Sequence, residues 1–377
     1  MTELITLVAD RILTGYEDWT PGWVTIEGEI IIAVGPGMPA VDMESTTIGG
    51  TVVPGFVDLH AHGAVGIDFG AATSRDARTV SDYHVKQGTT TMLASLASAW
   101  PSEMQAAVML LRDVASDGTI AGIHLEGPFL SPRRSGAHKP ELLRLPSLME
   151  TETLLEIGEG SIRVVTIAPE LPGAEEIVRF LVSAGVCVAI GHSDCDASTA
   201  YESFSWGVSL VTHLYNGMPE FEHRNPGLVG AALIDDRVTV ELICDGQHIS
   251  REAIEVARRC APDRYALVSD AMQATGQPDG LYSIAGSVVR VDGGKAMLAD
   301  GSSLAGSTKT VAEGLSRLLE LDGVTLQEAV RATSITPASV LGIAKAGIQT
   351  GAYADLVVLN KADMNPTRVM KRGTWAT

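Results

Sequence analysis

Cysteine is scarce in this chain, and the four that occur (Cys187, Cys195, Cys244 and Cys260) form no CxxC pair and no regular spacing. That excludes a disulfide framework or a thiolate zinc ribbon and fits reduced thiols in a cytoplasmic protein. Only Cys195, three residues past His192, lies near a candidate site. Basic charge is also short. With 27 Lys and Arg against 46 Asp and Glu, the net charge is −19. No surface on such a chain can neutralise a run of phosphates, so nucleic acid is excluded as a partner. One small anion remains admissible, because a few local cations suffice to bind it. No apolar run approaches the roughly 18 residues a membrane span needs. The opening Met1-Thr2-Glu3-Leu4-Ile5-Thr6-Leu7-Val8-Ala9-Asp10 carries acids where a leader peptide carries Lys or Arg. A cytoplasmic location with no membrane partner is the expectation. Nor does a G-x-G-x-x-G turn follow the first strand-like run, which argues against a doubly wound nucleotide-binding sheet.

What is present is a recurring pattern. The run Thr51-Val52-Val53-Pro54-Gly55-Phe56-Val57 leads into Asp58-Leu59-His60-Ala61-His62-Gly63. Residues two apart on a strand share a face, so His60 and His62 form half of a metal site. Alone, the pair also fits ordinary polar residues ending a strand, the lesser of the two readings. Four more apolar runs end the same way, at His124-Leu125-Glu126, Gly191-His192, Thr212-His213 and Ser269-Asp270. Metal ligands and proton carriers at one structural position are what hydrolysis requires.

Eight strand-like runs, rich in Val, Ile, Leu and Thr, fall at 52–59, 89–96, 120–125, 162–168, 186–191, 210–213, 239–244 and 266–269. Amphipathic segments such as 102–115, 173–184 and 250–259 lie between them. This alternation predicts an α/β fold, a (β/α)8 TIM-like barrel over 51–343, with its active site at the carboxyl ends of the strands. Residues 1–50 and 344–377 read as short β pieces with turn signals. Neither end is long enough for its own core, and together they predict a small β-sandwich domain built from both termini.

The strand-one His-x-His, the later single His residues, the strand-eight Asp270 and the terminal Gly351-Ala352-Tyr353-Ala354-Asp355-Leu356-Val357-Val358-Leu359 resemble the amidohydrolase superfamily. More narrowly, the chain resembles the family of N-acetylglucosamine-6-phosphate deacetylases. The matches are His124-Leu125-Glu126-Gly127-Pro128-Phe129, Gly136-Ala137-His138, Gly191-His192-Ser193, Thr212-His213-Leu214-Tyr215-Asn216-Gly217-Met218, Asp245-Gly246-Gln247-His248, Ser269-Asp270-Ala271-Met272 and Leu304-Ala305-Gly306-Ser307.

The resemblance covers essentially the whole chain, and it implies specific roles. Glu126, His192 and His213 would hold a main metal, and His60, His62 and the shared Glu126 a second. Many relatives bridge two metals with a carboxylated Lys, a part that the resemblance implies Glu126 would take here unmodified. Neutral imidazoles with a carboxylate suit Zn2+ or Fe2+ better than Mg2+, at one or two ions per subunit. Asp270 would be the general base and acid, with His248 polarising the carbonyl. Ala137, His138, Asn216, Gly217, His223, Arg224, His248 and Leu304 would contact the sugar phosphate. A homodimer is implied, with Arg224 reaching the partner's site.

Ser131-Pro132-Arg133-Arg134-Ser135-Gly136-Ala137-His138-Lys139-Pro140 reads as a mobile lid. No chemistry is assigned to Ser135, His84 reads as structural, and His124 shares a strand face with Glu126, where it could support the ligands. Competing readings are another amidohydrolase, such as a dihydroorotase, a D-aminoacylase or an adenine deaminase, and a scaffold protein that has lost its chemistry. Retention of every ligand and of Asp270 argues against the scaffold.

Overall fold

A computed structural model describes residues 4–41 and 43–377, so the Met1-Thr2-Glu3 part of the opening segment lies outside the described residues. Eight parallel strands form the central sheet, in strict sequence order: β1 (Phe56–Asp58), β2 (Thr89–Ala97), β3 (Gly122–Glu126), β4 (Ile162–Ile167), β5 (Cys187–Ile190), β6 (Leu210–Val211), β7 (Thr239–Leu242) and β8 (Tyr265–Leu267). Helices cover both-face-buried strands of this kind, so the strands read as nearly continuous apolar runs. In β3 every residue is buried, including His124 and Glu126.

The sheet closes past the ends of its outer strands. Ala61 bridges Ala271 in parallel, Asp270 N donates to His60 O at 2.9 Å, and His62 N donates to Ala271 O at 2.7 Å. The TIM-like barrel predicted from the sequence is therefore present.

Helix boundaries follow local chemistry. The helix Pro101–Ser116 begins with proline at its first position and buries Met104, Val108, Leu111 and Val114 along one stripe. Ser147, Asp196 and Ser250 each cap a helix by accepting a backbone N–H three residues on.

The run at 52–59 is two strands rather than one. Thr46–Pro54 belongs to a different sheet, and β1 begins after Gly55. A Cβ at Gly55 would collide with the Thr90 side chain, so only glycine lets the chain pass here.

The chain divides into two compact units, Met1–Asp58 with Asp82–Thr91 and Val311–Thr377, and Leu59–Ser81 with Met92–Thr310. In the first, strands from both ends build one eight-stranded mixed sheet: Thr374–Trp375, Pro366–Lys371, Leu356–Leu359, Thr46–Pro54, Leu4–Leu13, Gly22–Glu27 and Ile30–Pro36 in order, with Asp18–Trp19 paired to Leu4–Leu13. Its core is Leu7, Ile12, Val24, Ile26, Ile31, Val52, Leu356 and Val358 with the loop residues Ile348, Ala352 and Ala354.

The second unit contains every barrel residue discussed below and an insertion past β8. Strands Gly280–Ile284, Ser287–Asp292 and Lys295–Leu298 form a small antiparallel sheet on a core of Met272, Ile284, Val289, Val291 and Ala305. Among the described residues no helix is long and apolar enough to cross a membrane.

Candidate metal centre and active site

Six buried side chains converge at the carboxyl ends of the barrel strands: His60, His62, Glu126, His192, His213 and Asp270. Three of them leave their strands through left-handed backbone, with φ of 47° at His192, 30° at His213 and 48° at Asp270. Non-glycine residues avoid this region, and strain of this kind persists where the surroundings enforce it.

Glu126 is the hub. Its Oε1 lies 3.1 Å from both His192 Nε2 and His213 Nε2, and its Oε2 lies 3.1 Å from His62 Nε2. His60 Nε2 stands 3.5 Å from Glu126 and 3.6 Å from Asp270, and His62 Nε2 stands 3.5 Å from Asp270. Two groups result, Glu126–His192–His213 and His60–His62–Asp270, each with its ligand atoms within 4.8 Å of one another.

The donor spacing fits a cation. The Nε2 atoms of His192 and His213 are 3.1 Å apart, and two nitrogens bound to one tetrahedral Zn2+ stand about 3.3 Å apart. Both groups are thus candidate sites for a divalent metal.

Hydrogen bonds behind the rings set their tautomers. A carbonyl only accepts, so His192 carries its proton on Nδ1, which donates to Arg134 O at 2.7 Å. In the neutral ring Nε2 then carries the lone pair that a metal would take. His60 Nδ1 is 3.2 Å from Glu241 Oε2, which fixes the same tautomer there. His138 is the reverse case. Ser98 N donates to its Nδ1 at 3.2 Å, so the proton sits on Nε2 and is given to Glu126 Oε2, also at 3.2 Å. Below the site, Ser95, His124, Thr166 and Thr212 form a polar layer, with His124 bonded to Ser95 at 2.9 Å and Thr166 at 2.8 Å.

Electrostatics follow from this packing. Burial would raise the Glu126 carboxyl, but the His60 charge and the bonds from His138 and His192 hold it well below the usual range. Burial also opposes charge on His60, and there Glu126, Asp270 and Glu241 outweigh it, raising its pKa. For His138 burial wins, and its pKa falls to about 4. His248 is raised despite burial, because its Nδ1 donates at 2.8 Å to Asp245. Asp245, which would rise on burial, is instead held at about 2 by that bond and by backbone N–H donors from Gln247 and His248.

The site opens into a cavity of about 690 Å3, mouth included, lined by His62, Glu126, Ala137, His138, His192, His213, Asn216, Gly217, His248, Asp270 and Leu304 among others. His60 sits behind the lining. His223 and Arg224 do not reach the cavity of their own chain; both are exposed on the loop at 221–225. No Lys or Arg is found among the described residues lining it.

The 131–140 segment, expected as a lid, is tied down at several points. Ser131 N donates to His192 O at 2.9 Å, Arg134 pairs with Asp194 at 2.8 Å, and Ser287 Oγ donates to Ala137 O at 3.1 Å. Gly136 and Gly217 flank the His192 ring so closely that a Cβ would lie 2.9 Å from Cε1 and 3.0 Å from Nδ1, respectively. Cys195 is buried, and burial pushes its thiol up to about 12, which leaves it inert.

Sequence reasoning missed Ile284, Ala285 and Ser303, which the insertion brings to the cavity, and Glu241. The signal for Glu241 was available: a lone acid inside the apolar run 239–244 must be buried and partnered.

A model of the family described as "Amidohydrolase family" matches residues 51–376. An N-acetylglucosamine-6-phosphate deacetylase from Vibrio furnissii is 35% identical over 82% of this chain and 79% of its own length. An N-acetylgalactosamine-6-phosphate deacetylase from Escherichia coli is 34% identical over 94% of both. The crystal structure of N-acetyl-D-glucosamine-6-phosphate deacetylase from Mycobacterium smegmatis superposes with a TM-score of 0.96, at 40% identity, over 99% of this chain and 100% of that one.

Proposed function

This chain belongs to the amidohydrolase family, and from that premise we propose that it hydrolyses N-acetylglucosamine 6-phosphate to glucosamine 6-phosphate and acetate. The observation that carries the reading is the pair of ligand groups joined through Glu126, opening into a cavity that also presents Asp270 and His248. A divalent ion held there, Zn2+ or Fe2+ on the donor chemistry and one or two per subunit, would supply acidified water and a Lewis acid for the carbonyl oxygen.

The chain's own residues handle the protons. Asp270 accepts one from the attacking water as its oxygen bonds to the acetamide carbon. His248, kept protonated by Asp245, offers its Nε2–H to the carbonyl oxygen on which charge develops. Asp270 then returns its proton to the amine nitrogen, and the C–N bond breaks with a neutral leaving group. His138 and Glu126 stay fixed in place by their mutual bond. Other family chemistries share the metal groups, and the substrate choice rests on the deacetylases named above.

A phosphate is best met by a guanidinium or ammonium group, and no Lys or Arg lines the cavity of one chain among the described residues. In this reading Arg224, with His223 beside it, supplies a guanidinium to the site of a second copy in a homodimer. Asn216, Gly217, Ala137 and Leu304 line the sugar's path. The enzyme is expected to reside in the cytoplasm.

Acetate release from N-acetylglucosamine 6-phosphate tests the reading, run beside unphosphorylated N-acetylglucosamine, N-acetylgalactosamine 6-phosphate and chelator-stripped protein. Release that requires both phosphate and metal supports it. No release from metal-replete protein overturns the substrate, and faster release from the galacto epimer moves the assignment to the chemistry named for the Escherichia coli relative.

A further inference from the structure

Glu241 lies in the middle of β7 and is 1% exposed. Its Oε2 accepts from His60 Nδ1 at 3.2 Å and from the backbone N–H of His213 at 3.2 Å. One carboxylate oxygen therefore stands behind a ligand of each metal group. The two contacts are not equivalent. On His60 it grips the ring, so it decides which nitrogen carries the proton and where Nε2 points. On His213 it touches only the main chain, and the ring's Nδ1 has no hydrogen-bond partner among the described residues.

Carboxylates behind a ligating imidazole orient the ring and raise its basicity. Here that effect falls on one group alone. We propose that Glu241 is a positioning residue that selectively sets ion affinity at the His60–His62–Asp270 group while leaving the Glu126–His192–His213 group nearly unchanged. The inference rests on the metal-centre reading above. It makes the two positions unequal: their first ligand sets are each three residues, but only one has a carboxylate braced against a ring.

The test is a calorimetric titration of chelator-stripped protein with Zn2+, with bound metal counted by elemental analysis, for wild type and Glu241→Gln. Glutamine keeps an acceptor oxygen and loses the charge. The expected result is about a 10- to 100-fold weaker Kd at one position. The other position should change by less than about threefold, well below the effect of losing such a partner.

Two backgrounds identify the position. In His62→Ala, which cripples the His60 group, adding Glu241→Gln should leave the remaining Kd unchanged. In His192→Ala it should exact the full loss. Equal weakening at both positions, or none at either, overturns the proposal. Failure of wild type to bind any Zn2+ overturns instead the metal centre on which it rests. Thermal melting of the stripped proteins checks folding, and Glu241→Asp, which withdraws the carboxylate by one methylene, is held to the same outcomes if the glutamine variant does not fold.

Discussion

Replacing Gly136 by Ala perturbs the site through one methyl group. The residue has φ +56°, and its new Cβ would lie 2.9 Å from His192 Cε1. The left-handed backbone costs an alanine about 1–2 kcal/mol. Carbon atoms pack no closer than about 3.5 Å, so the ring or the segment must yield by roughly 0.6 Å, the difference between 3.5 and 2.9. Ligand distances tolerate only about 0.2 Å. His192 cannot retreat freely, because its Nδ1 is bonded to Arg134 O at 2.7 Å and Gly217 closes the ring's other side.

The expected outcome is a melting temperature lower by a few degrees, together with Zn2+ affinity reduced by about 10- to 100-fold. Gly160→Ala separates the two effects: it has φ +83° with nothing within 4 Å, so it carries the backbone cost without the collision. It should melt lower and bind Zn2+ as wild type does. If Gly136→Ala behaved the same way, the 131–140 segment would be the part that yields, and the claim that it fixes His192 would fail.

Asp270→Asn should lower kcat by about 10²- to 10⁴-fold, the range for losing a proton carrier; retention of full kcat would remove Asp270 from that role. Asp245→Asn keeps an acceptor oxygen but withdraws the charge that raises His248. A raised pKa keeps the imidazolium present to higher pH, so the variant should lose kcat/KM at lower pH than wild type, and an unmoved alkaline limb in the pH profile would refute His248 as a proton donor. Arg224→Ala mixed with Asp270→Asn should recover activity that neither has alone, since a hybrid dimer contains one site with both residues intact; absence of recovery on mixing and refolding would place Arg224 outside the partner's site.

Much of this could be read from the chain before any coordinates. Parallel strands buried on both faces announce themselves as apolar runs, and the polar residues ending them, Glu126, His192, His213 and Asp270, all arrive at one place. Other parts were hidden for physical reasons. The insertion is written in alternation, with Val289 and Val291 inward and Val288 and Arg290 outward, but it sits where a barrel pattern calls for a helix. The group that orients His192 is the Arg134 carbonyl, and a carbonyl belongs to every residue alike. His223 and Arg224 lie on an exposed loop whose purpose a single chain does not display. The break at Gly55 shows that a continuous apolar run can serve two sheets.

The way the barrel shuts has a consequence for how it comes together. Ala61 and Ala271 make the join, and loops of that length cost entropy that grows with the logarithm of the residues enclosed. The join is brief, one bridge and a few backbone bonds, at the most expensive place in the topology. His60 and His62 stand on one side of it and Asp270 on the other. An ion held by those three would therefore be a rivet through the seam, fastening the segment at 60–62 to the segment at 270–271. Amide hydrogen exchange around 60–63 and 269–272 should quicken when the metal is stripped, while β4 on the far wall keeps its protection.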